Sequence, residues 1–245
     1  MNPAGFCFQH GQNLLQAQQL TKLYTLGKEQ VYALRGVDFE ARQGDFVVIN
    51  GPSGSGKTTF LNLLALIDRP TTGEIFLEGT ATRRLSEGRL AELRRSRIGL
   101  VFQTFNLIPV LSAGENVEYP LLLHDLPRAE RRRRVGAILE EVGLADLARR
   151  RPDELSGGQR QRVAVARALV TQPRMVLADE PTANLDSTTG GQVMDLMRRL
   201  NEEHCVVFVV VTHDPVVTQY ASRVLSIRDG RLDGEVERVA ADSTA

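Results

Sequence analysis

The chain has 245 residues, 42% of them hydrophobic, and its thirty basic and thirty acidic side chains cancel to zero net charge. Such a length can bury a substantial core as one large domain or two small ones, while the charge balance argues against a generic electrostatic nucleic-acid binder. The two cysteines, Cys7 and Cys205, stand far apart at no metal-ligand spacing and read as reduced thiols rather than a zinc site or a disulfide.

In chain order, residues 1–12 are polar with Gly and Pro and read as a mobile end, without the basic start and apolar stretch of a secretion signal. Short alternating stretches from Leu14 to Phe39 predict strands with one wet face. Phe46-Val47-Val48-Ile49 is a buried-type strand that runs directly into a glycine loop, and Lys57 to Ile67 reads as a helix apolar on almost every side. Ile75-Phe76-Leu77 is a further strand, residues 85–97 read as helical, and Ile98 to Phe102 is a strand ending at Gln103. From Thr104 to about Arg162 no strong strand is predicted, and helical spacing shows at Val135, Ile138, Leu139 and Val142. The run Arg131 to Arg134, flanked by Glu130, Glu140 and Glu141, reads as a solvated helix surface.

Strand character returns at Met175 to Ala178, followed by an amphipathic helix bearing Val193, Leu196, Met197 and Leu200. The Val206 to Val211 run is a strand, far short of the roughly 20 apolar residues that cross a membrane. Val224 to Ile227 and Arg231-Leu232 flank Asp229-Gly230, a hairpin-turn pair. Apolar strands separated by helices predict an α/β fold, with a mostly parallel sheet covered on both faces and a helical subdomain inserted into it.

The chemistry concentrates in a few places. In Gly51-Pro52-Ser53-Gly54-Ser55-Gly56-Lys57-Thr58 the glycines let backbone N–H groups converge on phosphate oxygens. The following helix aims its positive end at the same anion. Lys57 is expected to reach the β- and γ-phosphates of a nucleoside triphosphate, and the Thr58 hydroxyl to ligate Mg²⁺. The strand Met175 to Ala178 ends in adjacent carboxylates: Asp179 suits a magnesium shell and Glu180 an attacking water. Leu155-Ser156-Gly157-Gly158-Gln159 is a capping box ahead of an apolar helix. A cap does not require two successive glycines, which weaken the first turn, so the pair points to bare N–H groups held against an anion. Gln103 is a candidate for contact with magnesium or the attacking water, and His213, at a strand end, for the γ-phosphate. Asp186 reads at least as the cap of the helix holding Val193.

These motifs, in this order, resemble the ATP-binding subunits of ABC transporters over roughly residues 14–236. The resemblance implies a P-loop NTPase core with an N-terminal antiparallel β subdomain, an inserted helical subdomain at about 104–162, and tails at 1–13 and 237–245. It implies ATP and Mg²⁺ as ligands, Tyr24 as a platform for adenine, and residues Gly51 through Thr59 as the nucleotide site. Thr58, Gln103 and Asp179 would hold the metal, with Glu180, His213 and Gln103 at the hydrolytic centre. Ser156, Gly157, Gly158, Gln159 and Asp186 would reach the nucleotide of a second copy, in an ATP-dependent homodimer. One departure is Ala183-Asn184-Leu185, where many relatives have Ser-Ala-Leu.

Val101 to Pro109, followed by Glu115-Asn116-Val117, is similar to ATPases of bacterial lipoprotein-release and macrolide-efflux systems and to the related cell-division ATPase. That implies a hydrolase on the cytoplasmic face of the cell membrane, held there by a separate integral permease that docks near residues 104–125. The alternative is an ATP-dependent clamp that signals to a transmembrane partner in cell division or cell-wall control without transport. Direct nucleic-acid binding is not expected.

Overall fold

A computed structural model describes residues 13–27 and 29–237, and the mobile end expected at residues 1–12 lies outside them. The first half comprises β1 (Asn13–Leu26), β2 (Glu29–Arg42), β3 (Phe46–Asn50), α1 (Lys57–Leu64), β4 (Thr72–Leu77), β5 (Thr80–Ala81), α2 (Glu87–Arg97), β6 (Ile98–Val101) and α3 (Ala113–Glu118). The second comprises α4 (Arg128–Glu141), α5 (Gly157–Leu169), β7 (Met175–Asp179), α6 (Ser187–His204), β8 (Val207–Thr212), β9 (Arg223–Arg228) and β10 (Arg231–Glu237), with one-turn helices between.

Two sheets form. An antiparallel sheet runs β2-β1-β4-β5, as expected for the N-terminal part. The larger sheet runs β10-β9-β3-β8-β7-β6, parallel throughout except for β10. Side chains alternate across it because successive residues of a strand point to opposite faces. Phe46, Val48, Val176, Ala178, Phe208 and Val210 join one core with the apolar residues of α5 and α6. Val47, Ile49, Leu177, Val209 and Val211 join the other, with Phe60, Leu63 and Leu64 of α1 and with the antiparallel sheet. Helices α1 and α5 therefore cover opposite faces of the central sheet.

Helix α1 stops at Leu64, three residues short of the expected Ile67, because Leu66 turns into the left-handed region at φ 57°. Between β6 and β7 there is no strand. Its first helix, α3, starts with a capping box between Ser112 and Glu115 that sequence reading passed over. The wholly buried Asn116 ties down the preceding loop: its Oδ1 accepts from Ile108 N at 2.7 Å, and its Nδ2 donates to the carbonyls of Ile108, Leu111 and Ser112 at 3.0–3.1 Å. In α4, Arg131, Arg133 and Arg134 pair with Glu118 and Glu130 at the surface, which matches the solvated-face reading. One expectation is corrected: Cys205 is disulfide-bonded, not a reduced thiol, and Cys7 lies outside the described residues.

The chain closes with the expected Asp229-Gly230 turn, both residues at positive φ (49° and 75°), between β9 and β10. The Gly230 N–H donates to Ser55 O at 3.0 Å, and its carbonyl accepts from Arg35 N at 2.8 Å. Replacing Asn116 by Ala should leave the Ile108 amide unpaired and lower the unfolding free energy by roughly 2–4 kcal/mol, measured by urea denaturation.

Candidate active site

Parallel register aligns three strand ends. Asn50 at the end of β3 pairs with Thr212 at the end of β8, and Asp179 at the end of β7 pairs with Val211. The glycine loop, Glu180 and His213 therefore all leave the sheet at one edge, where parallel sheets present ligand sites.

The loop is shaped for an anion. Gly54 and Gly56 take positive φ of 78° and 105°, and a Cβ on Gly56 would lie 2.4 Å from Ala33 O. Gly56 caps α1 without any side-chain hydrogen bond, and α1 has no acidic residue in its first turn. Helices α2, α3, α5 and α6 instead begin on a side chain that accepts from the first turn. The first N–H groups of α1 are left for an acceptor from outside the chain. Within the loop, the buried Lys57 ammonium donates to Gly51 O at 2.7 Å and Pro52 O at 2.9 Å, while the buried Ser55 Oγ has no partner. A cation held inward and an orphaned hydroxyl beside bare amides make a cradle suited to phosphate oxygens.

Tyr24 stands beside this cradle: its hydroxyl donates to Asp68 Oδ2 at 3.0 Å and lies within reach of the Thr59 side chain. The Lys22 ammonium lies 5.0 Å from the Tyr24 ring centre and is anchored to Asp68 at 2.6 Å. Burial opposes ionisation of Asp68, but donation from Lys22, the Arg69 amide and Tyr24 prevails and lowers its pKa.

The carboxylates are treated unequally. Burial raises the Asp179 pKa above the ordinary value; the Thr58 hydroxyl opposes this, the Glu180 charge adds to it, and the Lys57 charge opposes it. Glu180 sits at φ 46°, an uncommon conformation for a non-glycine residue, fixed by its N–H donating to Val211 O at 2.9 Å. Its Oε2 accepts from Thr212 Oγ1 at 3.0 Å and from His213 N at 3.3 Å, while Oε1 faces His213 Nδ1 at 2.8 Å. Thr212, wholly buried, was not singled out from sequence; its place one residue before His213 was the available signal.

Gln103 is exposed just beyond β6, and its carbonyl accepts from Asn184 Nδ2 at 2.9 Å. Beyond Thr104, Phe105 and Asn106 both adopt positive φ (63° and 48°), a strain of order 1–3 kcal/mol each. Arg167 of α5 donates to both their carbonyls, at 2.8 and 2.5 Å, and Arg160 lies 5.2 Å from the Phe105 ring centre.

Ser156 caps α5 reciprocally with Gln159, as the capping box predicts: Gln159 N donates to Ser156 Oγ at 3.3 Å and Ser156 N to Gln159 Oε1 at 2.9 Å. The two glycines have a reason that sequence reading did not supply. A Cβ on Gly158 would meet Thr189 Cγ2 at 2.4 Å, and one on Gly157 would meet Leu185 Cδ2 at 3.1 Å. Close packing of α5 on the start of α6 thus demands Gly158 without reference to any anion. Asp186 caps α6 by accepting from Thr189 N at 2.9 Å, and it is exposed. Ser156, Gly157 and Asp186 thereby form one surface, on the side of the sheet opposite α1.

A family model described as ABC transporter matches residues 34–183. The chain is similar to the lipoprotein-releasing system ATP-binding protein LolD of Chromohalobacter salexigens, 43% identical over 225 residues that cover 92% of this chain and 95% of that one. It is similar also to the macrolide export ATP-binding/permease protein MacB of Syntrophobacter fumaroxidans, 46% identical over 91% of this chain but 32% of that longer one. Among solved structures, the Methanocaldococcus jannaschii cassette seen as a dimer in a post-hydrolysis state with ADP and Pi superposes with a TM-score of 0.83 at 44% identity. That match covers 91% of this chain and 98% of the other.

Two outcomes follow from the geometry. Gly158→Ala should destabilise the protein by about 1–3 kcal/mol in denaturant titration, and Thr189→Ser, which removes the opposing methyl, should recover much of the loss. Because folding raises the Asp179 pKa, its ionisation opposes folding as pH rises above about 4, the ordinary aspartate value. Asp179→Asn should therefore raise the melting temperature of the nucleotide-free protein at pH 7, and the gain should vanish below about pH 4.

Proposed function

The chain belongs to the ABC transporter family as an ATP-binding, ATP-hydrolysing subunit, and we propose that two copies close head to tail around two ATP to drive a separate membrane permease. The observation that carries this reading is the placement of α1 and α5 on opposite faces of one sheet. The sheet keeps the bare cradle at α1 and the exposed Ser156-Gly157 start of α5 apart within one copy, and a two-fold axis passing between them brings one of each together. The dimeric cassette from Methanocaldococcus jannaschii supports the pairing.

In each composite site the 51–59 loop and Lys57 bind the phosphates, Tyr24 stacks on adenine, and Ser156, Gly157, Gly158, Gln159 and Asp186 of the second copy complete the enclosure. Among the described residues no cluster of three or more His, Cys, Asp and Glu could hold a metal ion. The donors present nevertheless suit Mg²⁺, which takes one or two carboxylates or hydroxyls plus substrate phosphates. Asp179, its ionisation opposed by burial and close to the Thr58 hydroxyl, fits that role, with Gln103 as the third donor. Mg²⁺ when bound supplies neutralisation of charge developing on the phosphates.

Glu180 orients the attacking water and takes its proton. The Thr212 hydroxyl and His213 hold its carboxylate in one orientation. A carboxylate only accepts, so His213 presents a proton at Nδ1; Nε2 also donates, to the γ-phosphate, when the ring is imidazolium. Loss of the γ-phosphate removes the contact shared between copies, and the clamp opens.

The stretch at residues 104–125, within the helical subdomain, is the receiver of the permease. Val110, Tyr119, Leu122 and Leu123 expose apolar surface there, 49–73% accessible. No helix among the described residues is long and apolar enough to cross a membrane; the likeness to MacB, an ATP-binding/permease protein, favours attachment through a permease partner on the cytoplasmic face. The likeness to LolD and MacB favours a permease of the lipoprotein-release or macrolide-export type.

Glu180→Gln should slow hydrolysis by roughly 10²–10⁴-fold while leaving ATP affinity intact, and should trap a dimer on size exclusion with ATP. A variant that stays monomeric at saturating ATP would remove the shared site.

A further inference from the structure

The loop that carries Gln103 has an unusual support. Its backbone passes through two consecutive left-handed non-glycine residues, Phe105 and Asn106, and no regular element continues from it before α3. Such a conformation persists only where surrounding groups over-determine it. Three of its carbonyls are held by side chains from elsewhere: Gln103 O by Asn184 at 2.9 Å, and Phe105 O and Asn106 O by Arg167 at 2.8 and 2.5 Å. Thr104 Oγ1 adds an internal bond to Asn106 Oδ1 at 2.7 Å.

The two outside donors differ in what they connect. Arg167 sits near the end of α5, partly buried, and fixes the far side of the loop to the helix that begins at Ser156. Asn184 lies between Glu180 and Asp186, and its amide donates to Gln103 itself. Along the chain, Asp179 and Glu180 are only four or five residues from Asn184, and they close on their own turn through Ala183 N to Glu180 O at 3.2 Å. The turn that carries both carboxylates thus also carries the group that grips the Gln103 backbone. Asn184 is exposed, so its side chain is not kept for core packing.

From this geometry we propose that Asn184 is a positioning residue for hydrolysis: it sets Gln103 at a fixed distance from Asp179 and Glu180 by donating to the Gln103 carbonyl. The inference rests on the metal and water roles given above to Gln103, Asp179 and Glu180. Asn184 touches no nucleotide in this scheme; it acts through the backbone it holds. An Ala at this position would have no such donor, so the spacing depends on a side chain that can be changed without touching the site.

The test uses the full chain and Asn184→Asp, which keeps shape but replaces the donor with an acceptor facing a carbonyl. The expected result is a fall in kcat for ATP of about 10-fold. KM should stay within about twofold, more Mg²⁺ should be needed for half-maximal rate, and the melting temperature should not change. Asn184→Gln, which retains a donor, should recover part of the rate. Wild-type kcat and Mg²⁺ dependence in Asn184→Asp would overturn the proposal. So would a fall in rate matched by a fall in melting temperature, with Mg²⁺ dependence unmoved, which marks a mere brace. Lys57→Ala serves as the control: hydrolysis that survives it undermines the assigned site itself, whereas hydrolysis lost in Lys57→Ala and normal in Asn184→Asp removes the role of Asn184 alone.

Discussion

The register of the central parallel strands is the constraint on which the site depends. Pairing of Asn50 with Thr212 and of Asp179 with Val211 ends three strands at the same level. From those ends come the phosphate cradle, the carboxylate pair and His213. A slip of one residue would turn Phe46 and Phe208, which stack at 5.4 Å in one core, toward the other face, so core packing and site geometry are specified together.

Charge at that edge is arranged without ligand from the start. Lys57 satisfies itself on loop carbonyls, and burial pushes Asp179 toward its neutral form. Glu180 is held by a hydroxyl, an amide and an imidazole. On binding a triphosphate, Lys57 would exchange its loop carbonyls for phosphate oxygens, whereas the bare α1 amides and Ser55 Oγ would gain partners they lack. Preorganised donors of this kind carry little reorganisation cost at the moment of reaction.

Much of this was legible in the sequence because it is local. The glycine loop, the capping box at Ser156, the Asp-Gly turn and the strand that ends at Asp179 each depend on a few adjacent residues, and each stands where local rules put it. What sequence did not show depends on distant partners. The need for Gly158 comes from a methyl on Thr189, and the grip on Gln103 comes from Asn184 across the β6–β7 gap. The Ser112–Glu115 cap was written in the chain and passed over because α3 is short. The end of α1 was missed for another reason: apolar residues continue past Leu64, but the backbone reverses at Leu66. Hydrophobicity alone does not register that reversal.

The turn at Gly230 has a further meaning for the order in which the site can assemble. Its amide and carbonyl bridge Ser55 and Arg35, and a Cβ there would press on Ala33 O at 2.7 Å. Gly51 in turn abuts Ile227 O of the strand just before, so that a Cβ would lie 2.3 Å away. The cradle of residues 51–58 is thus buttressed by strands that come far later in the chain. Until β9 has paired with β3 and the Gly230 turn has closed on Ser55, the phosphate loop lacks this rear wall.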